Sequence, residues 1–399
     1  MSNAHRILMI APTSFFLDYG CHVRILEEAR ALLAQGYEVR IVTYYLGRDW
    51  PGLDIVRSRS TPWRADYEVG SSRHKIVFDI LLSWQSLVET LRWKPDIIHG
   101  HLHEGALIGS LLANLARIPV VFDFQGSLTA EMLDHQFIKK GTWSYYWWRR
   151  LEERIVLMPN AVIASTTQSV EILAREFARV SAVYSLPDSV NLEFFRPDCI
   201  SWGARVQLRR ELGIPDDHQL VVYLGLLADY QGIPHLLEAA AGLRAQHMPV
   251  SYLIMGFPSV EYYRERAASL GLTHQDVVFT GKVPYEQAPK YLALGDLSIA
   301  PKISATEGSG KILNYMATAL PVVAYDTKVS REYLGPLGTY ASPVGSVDAL
   351  ADALGSLLRY PDAREVLGLP LRDRARQYFS WEDMGSALSQ IYQDLWEKT

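Results

Sequence analysis

The segment ATEGSGKILNYMATALPVVAYD, residues 305–326, places an acid, a lysine and an amide where one short helix would gather them. Glu307, Lys311 and Asn314 stand at i, i+4 and i+7, so a helix starting near Gly308 carries all three on one face. Gly308, Ser309 and Gly310 at its start leave backbone N–H groups uncovered, where the helix dipole favours an anion. An ammonium, a side-chain amide and free backbone N–H groups together suit a ligand with phosphate and ribose, such as a sugar nucleotide. The same Glu307–Lys311 spacing is also that of an ordinary surface ion pair, worth about 0.3–0.5 kcal/mol.

Elements that would position this helix are legible on both sides of it. RILMIAP, YEVRIVTYY, PDIIHGH, IPVVFDFQG and AVIAST are short apolar, β-branched runs separated by helical stretches, the first of them running from about His22 to Gln35. After the proline-bearing segment from Pro187 to Pro197 the rhythm restarts with QLVVYLGLL, SYLIMGF, DVVFTGK, DLSIAPK and PVVAYD. The expected architecture is α/β, with two doubly wound Rossmann-like domains facing across a cleft: residues 1–186, residues 187–375, and a terminal helix in 376–399. Ligands in such sheets bind beyond the carboxyl ends of the strands. In the last segment Trp381, Met384, Leu388, Ile391, Tyr392 and Leu395 fall at helical spacing and need a surface to pack on.

Composition narrows the function classes. With 39 Lys and Arg against 44 Asp and Glu the chain has no global basic excess, which argues against nucleic acid as a partner. Cys21 and Cys199 form neither a metal pattern nor a disulfide framework, which suits a reducing, cytoplasmic compartment. No apolar run approaches the roughly 20 residues of a membrane span. Between Lys139 and Arg154, Trp143, Tyr146, Trp147 and Arg150 share a helical face flanked by Lys139, Lys140 and Arg149. That pattern fits either a core contact or peripheral attachment to an anionic membrane, on the inner face of the cell membrane.

Further candidates follow the strands of the first half. Asp123 and Gln125 end one strand, and Asp123 is placed to accept a proton, orient an acceptor or simply order the loop. His101 and His103, two residues apart, are expected on the same side, lining the cleft, and with no third ligand they make no metal site. His22 and Arg24 open the first helix, facing either cleft or solvent. Arg73, with Lys75, lies in VGSSRHK, a composition suited to an anionic acceptor or to a solvated loop.

Taken in order, PDIIHGHLHEGALIG, LPDSVNLEFFRP, VVYLGLLADYQGIPHLLEAA, VVFTGKVPYEQAPKYLALGDLSIAPK, the 305–326 segment and FSWEDM resemble a family-four retaining glycosyltransferase with the GT-B fold, over nearly the whole chain. The resemblance implies transfer of a sugar, hexosyl in type, from a nucleotide diphosphate to an acceptor with retention, without metal or cofactor. The second domain would bind the donor, and the first a carbohydrate or glycolipid acceptor, as in synthesis of a surface glycan. The terminal helix would cross back onto the first domain. Gly20 corresponds to the family's glycine-rich turn near the donor, and Lys282 with Val283 to the place of the base. Two departures stand out. The family's diphosphate clamp, an Arg and a Lys, is replaced by Leu226 and Gln231, leaving Lys311 and then Lys302 as candidate cations. Glu307 is one residue out of the family's register, and Gln125 stands where a His is common, so that donor phosphate itself would accept the acceptor proton. These departures also leave two alternatives: a GT-B protein that binds sugar or glycolipid without transfer, or a sugar-nucleotide epimerase.

Overall fold

The computed structural model describes residues 4–17, 20–60, 75–134, 137–177, 182–304, 308–360 and 362–398. In the first half, strands β1 (Arg6–Ala11), β2 (Glu38–Thr43), β3 (Asp54–Arg57), β4 (Ile97–His101), β5 (Val120–Phe124), β6 (Ala161–Ala164) and β7 (Val183–Ser185) form a sheet in the order β3-β2-β1-β4-β5-β6-β7. In the second, β8 (Gln219–Leu224), β9 (Val250–Met255), β10 (Val277–Gly281), β11 (Leu297–Ala300), β12 (Val322–Tyr325) and β13 (Thr339–Ala341) follow the order β10-β9-β8-β11-β12-β13. Every pairing is parallel, with Ile10 opposite Gly100 and Ser298 opposite Val222 at the two central joins. Helices cover both faces of each sheet, which is why β1 buries Ile7 to Ala11 without polar alternation. Chain order reverses between β1 and β4 and again between β8 and β11, and those two crevices are where a ligand belongs.

The two halves touch through side chains as well as through the connecting chain. Arg48 grips Glu286 with two bonds of 2.6 and 3.0 Å. The hydroxyl of Tyr285 donates to Glu27, and the Tyr285 ring stacks on Phe194 while edging against Phe16 and Trp50. On the other flank Glu332 accepts from the amide and hydroxyl of Thr167.

Residues Trp381–Trp396 form the expected terminal helix, started by Ser380, whose hydroxyl accepts from the Asp383 amide. It packs on the helix Gly20–Ala34 of the first half, and Met384, Leu388, Ile391, Tyr392 and Leu395 are buried there. Gly385 permits the close approach, since a Cβ at that position would lie 2.6 Å from the Ala31 Cβ. Tyr392 then reaches His99 at 2.7 Å and Trp396 donates to the Asp96 carbonyl, so the chain end seals the underside of β4.

Candidate active site at the domain cleft

The donor half is built on the helix Gly310–Ala317, which begins two residues later than expected. Glu307, expected on the same face, lies outside the described residues. Lys311 and Asn314 keep their common face, and both are partly buried. Ser309 at the helix start offers no side-chain cap, and its buried hydroxyl has no hydrogen-bond partner among the described residues. Backbone N–H groups at a helix start, beside a hydroxyl without a partner among the described residues, can receive an anion.

Lys311 reaches from this helix into the loop after β8. Its Nζ donates to Gln231 Oε1 at 2.8 Å and to the Tyr223 hydroxyl at 2.9 Å, and lies 4.3 Å from the centre of the Tyr223 ring. Tyr223 in turn donates to the Leu226 carbonyl. Burial first, and the nearby Lys302 charge second, push the Lys311 ammonium well below its usual range. Among the described residues none of its partners is a carboxylate. Lys302, buried at the end of β11, donates to the Gly308 carbonyl at 3.1 Å and so braces the same turn.

The acceptor half gathers around Arg24. Its guanidinium pairs with Asp123 at 2.9 Å, Glu28 at 3.1 Å and Asp188 at 3.0 Å, all from different segments or turns. Asp123 also receives His101 Nδ1 at 3.1 Å and Gln125 Nε2 at 2.6 Å. Burial alone would raise the Asp123 carboxyl, but the Arg24 charge and the His101 contact outweigh it and hold the group well below the usual carboxylate range. Burial and the Asp123 charge push Glu28 the other way, well above. Asp188 joins the two halves: it takes a hydrogen bond from Tyr333, and a Cβ on Gly308 would lie 2.7 Å from its Oδ2.

Residues 205–373 match the family described as Glycosyl transferases group 1, and residues 19–184 match the Glycosyl transferase 4-like domain. The chain belongs to the group 1 glycosyl transferases. The activity that goes with this family is transfer of a sugar from a nucleotide sugar in glycan or glycolipid synthesis. The transferase is 25% identical over 389 residues to the sulfoquinovosyl transferase SQD2 of Arabidopsis thaliana, covering 95% of this chain and 71% of that one. It is 26% identical over 409 residues to the phosphatidyl-myo-inositol mannosyltransferase of Mycobacterium leprae, covering 97% and 96%. In fold it is similar to sucrose-phosphate synthase from Thermosynechococcus elongatus, with a TM-score of 0.83 at 19% identity over 99% of this chain and 100% of that one.

Several expectations about the transferase's site change with the structure. His101 and His103 do not share a side, because β4 ends at His101 and a helix starts at Leu102. The strand partner of His101 is His99, whose ring stacks on it at 4.4 Å. His103 instead lies against Phe122 and Phe124 on the opposite face of the sheet, 3.5 Å from Glu152. His22 is buried, with Nδ1 accepting from the Leu17 amide and Nε2 bonded to the Thr13 hydroxyl, so it orders the turn after β1 and does not face an acceptor. Asp123, its carboxyl held low by Arg24 and His101, anchors Arg24, His101 and Gln125. The Val283 side chain is in the core, leaving only backbone to meet a base, while Lys282 sits over the Phe257 ring. Lys75 is tied to Glu104 at 2.5 Å, and Arg73 lies outside the described residues. Gly20 starts its helix with open space where a Cβ would be.

Arg24, Glu28, Asp188, Tyr223 and Tyr333 are site residues that the sequence analysis left unassigned. A signal existed for two of them: Arg24 and Glu28 are an i,i+4 pair on the helix that follows β1. Glu28, His99, His101 and Asp123 also bring ligand atoms within 4.8 Å of one another, a spacing a metal ion could use. The Arg24 guanidinium already neutralises two of those four groups.

Proposed function

We propose that the transferase moves a sugar from a nucleotide-diphosphate donor to a lipid-linked acceptor with retention at the anomeric carbon and without a metal ion. The observation that carries the donor assignment is Lys311, an enclosed ammonium whose partners among the described residues are neutral, beside the start of its own helix, which has no side-chain cap. A diphosphate supplies the missing counter-charge, and the ammonium plus the N–H groups of residues 308–310 would stabilise it as it departs. Lys311 thus takes over from the family's Arg and Lys, whose positions hold Leu226 and Gln231, and it makes contact with Gln231 itself. Asn314, one turn further along, is placed for the ribose hydroxyls, with Glu307 before the helix and the backbone at Val283 as the remaining donor contacts.

The acceptor side supports retention. Asp123 is engaged by Arg24, His101 and Gln125, and Gln125 cannot take a proton, which leaves a departing phosphate oxygen to accept the acceptor proton. Metal independence is favoured because Lys311 and the backbone N–H groups at the start of its helix are the groups placed to meet a diphosphate. A lipid-linked acceptor agrees with the relative named for phosphatidyl-myo-inositol and with peripheral contact through residues 139–154, on the cytoplasmic face of a membrane. Among the described residues no helix is long and apolar enough to cross one. Domain extents of 1–186, 187–375 and 376–399 fit this division of labour.

The test is calorimetric titration of UDP, GDP and ADP, followed by turnover of the matching donor sugars with a lipid extract, with and without EDTA. One nucleotide binding selectively, and a product keeping the donor's anomeric configuration in EDTA, is the expected result. An inverted product, or activity abolished by EDTA and restored by a divalent ion, would overturn the corresponding part.

A further inference from the structure

Three helices of the first domain carry exposed apolar side chains that neither the core nor the site uses. On Lys75–Trp93 the residues Ile76, Ile80 and Trp84 follow at four-residue intervals and are all exposed, Trp84 to 56%, while Phe78 and Leu82 of the same helix are in the core. That helix is therefore apolar on two sides, and only one of them faces its own sheet. Leu115 on Leu102–Ala116, and Trp143 and Trp147 on Trp143–Leu157, are exposed as well, Trp143 to 81%. Helix Leu102–Ala116 packs against both of the others, so the apolar residues belong to one continuous side of the domain.

Charge on that side has a single sign. Between residues 75 and 160, seven charged residues are exposed among those described, and every one is Arg or Lys, Arg92, Arg117, Lys140 and Arg150 among them. The chain as a whole carries more acids than bases. Three acids of this region are turned inward, Glu89 to Arg40, Glu104 to Lys75 and Asp123 to Arg24, while Asp79, Asp96, Glu131 and Glu153 are partly exposed. Aromatic and aliphatic side chains whose fully exposed charged neighbours are cations match an interface of acyl chains and phosphate head groups, and would be a poor match to a basic protein.

We propose that the joint outer face of Lys75–Trp93, Leu102–Ala116 and Trp143–Leu157 docks on an anionic bilayer. The proposal rests on the lipid-acceptor reading for its purpose and widens the contact from one helix to three. It also sets an orientation. The pair of Lys75 with Glu104 places the start of the first helix beside the first turn after His101, at the carboxyl end of the sheet. Ile76 therefore lies at the same end of the domain as His101, Asp123 and Gln125, and docking holds that end of the cleft at head-group level. An acceptor could then be reached without leaving the bilayer.

The experiment is vesicle co-sedimentation of the full chain, with phosphatidylcholine alone or with roughly a third phosphatidylglycerol, at low and high salt. Wild type should partition at least about tenfold more strongly to the anionic vesicles, and high salt should weaken it. Ile80→Glu with Trp84→Glu, and separately Trp143→Glu with Trp147→Glu, should each lower partition by at least about tenfold while thermal unfolding and nucleotide binding stay as in wild type. Wild type indifferent to anionic vesicles overturns the proposal, and so does an Ile80→Glu, Trp84→Glu variant that binds them normally. A wild-type dimer in light scattering that the same substitutions dissociate also overturns it, since the occupant would be a second copy. Vesicle binding in a protein that binds no nucleotide would leave this face standing and remove the transfer reading instead.

Discussion

Replacing Lys311 by Met separates a functional cation from a structural one. The methionine keeps most of the stem and deletes the ammonium, which in the wild type has the Tyr223 hydroxyl at 2.9 Å and the Gln231 carbonyl at 2.8 Å as its partners. A charge-assisted bond to phosphate is worth about 1.5–3 kcal/mol, so nucleotide affinity should fall by roughly 10- to 150-fold. Stability should change little or rise, because a cation that burial disfavours is removed. The sign can be checked against pH. A lysine whose folded value is depressed penalises the fold at low pH, and the penalty disappears as pH rises through that depressed value towards the unfolded value near 10.5. Wild type should therefore gain stability relative to Lys311→Met as pH climbs through that window, and nucleotide affinity should weaken as the ammonium loses its proton. Calorimetric titration of the selected nucleotide and urea unfolding at several pH values provide the two readouts. Unchanged affinity, or a stability loss of several kcal/mol with affinity intact, would refute the assignment and make Lys311 a packing residue.

Other outcomes follow from the same contacts. Ser309→Ala should leave unfolding unchanged, since its hydroxyl has no partner among the described residues, yet weaken nucleotide binding by about 0.5–1.5 kcal/mol in the same titration. Arg24→Met strips the cation from Asp123, Glu28 and Asp188 together and should cost about 3–5 kcal/mol in urea unfolding, with activity lost along with it. Glu152 would be raised by burial, but His103 and Thr129 bring it down to about 2. Its contribution is thus present above the unfolded value of 4.5 and lost as pH falls towards 2, and Glu152→Gln should flatten that acid limb of a stability–pH profile.

The alternation of apolar strands and helical stretches was enough to place two parallel sheets and an amphipathic terminal helix, because strand burial on both faces and helix periodicity are local properties, while the return of that helix onto the first half came from the family resemblance. Short edge strands escaped it: β3, β7 and β13 have three or four residues each, too few for a pattern. The donor helix was legible in composition and begins two residues later than its spacing predicts. The two histidines failed for a similar reason. Counting by twos holds only inside a strand, and β4 stops at His101, so the true partner was His99 behind it.

What the sequence determined alone is therefore the architecture and the family, since each depends on residue type and short-range spacing, and it put Lys311 forward as the cation to test. What only the tertiary structure decided is how the charges are shared. Arg24 meets Asp188 across 164 positions of chain, and Lys311 meets Gln231 across 80. Whether Asp123 is a base or an anchor depends on those partners, because burial and a neighbouring guanidinium act on its carboxyl in opposite directions and only the geometry shows which prevails.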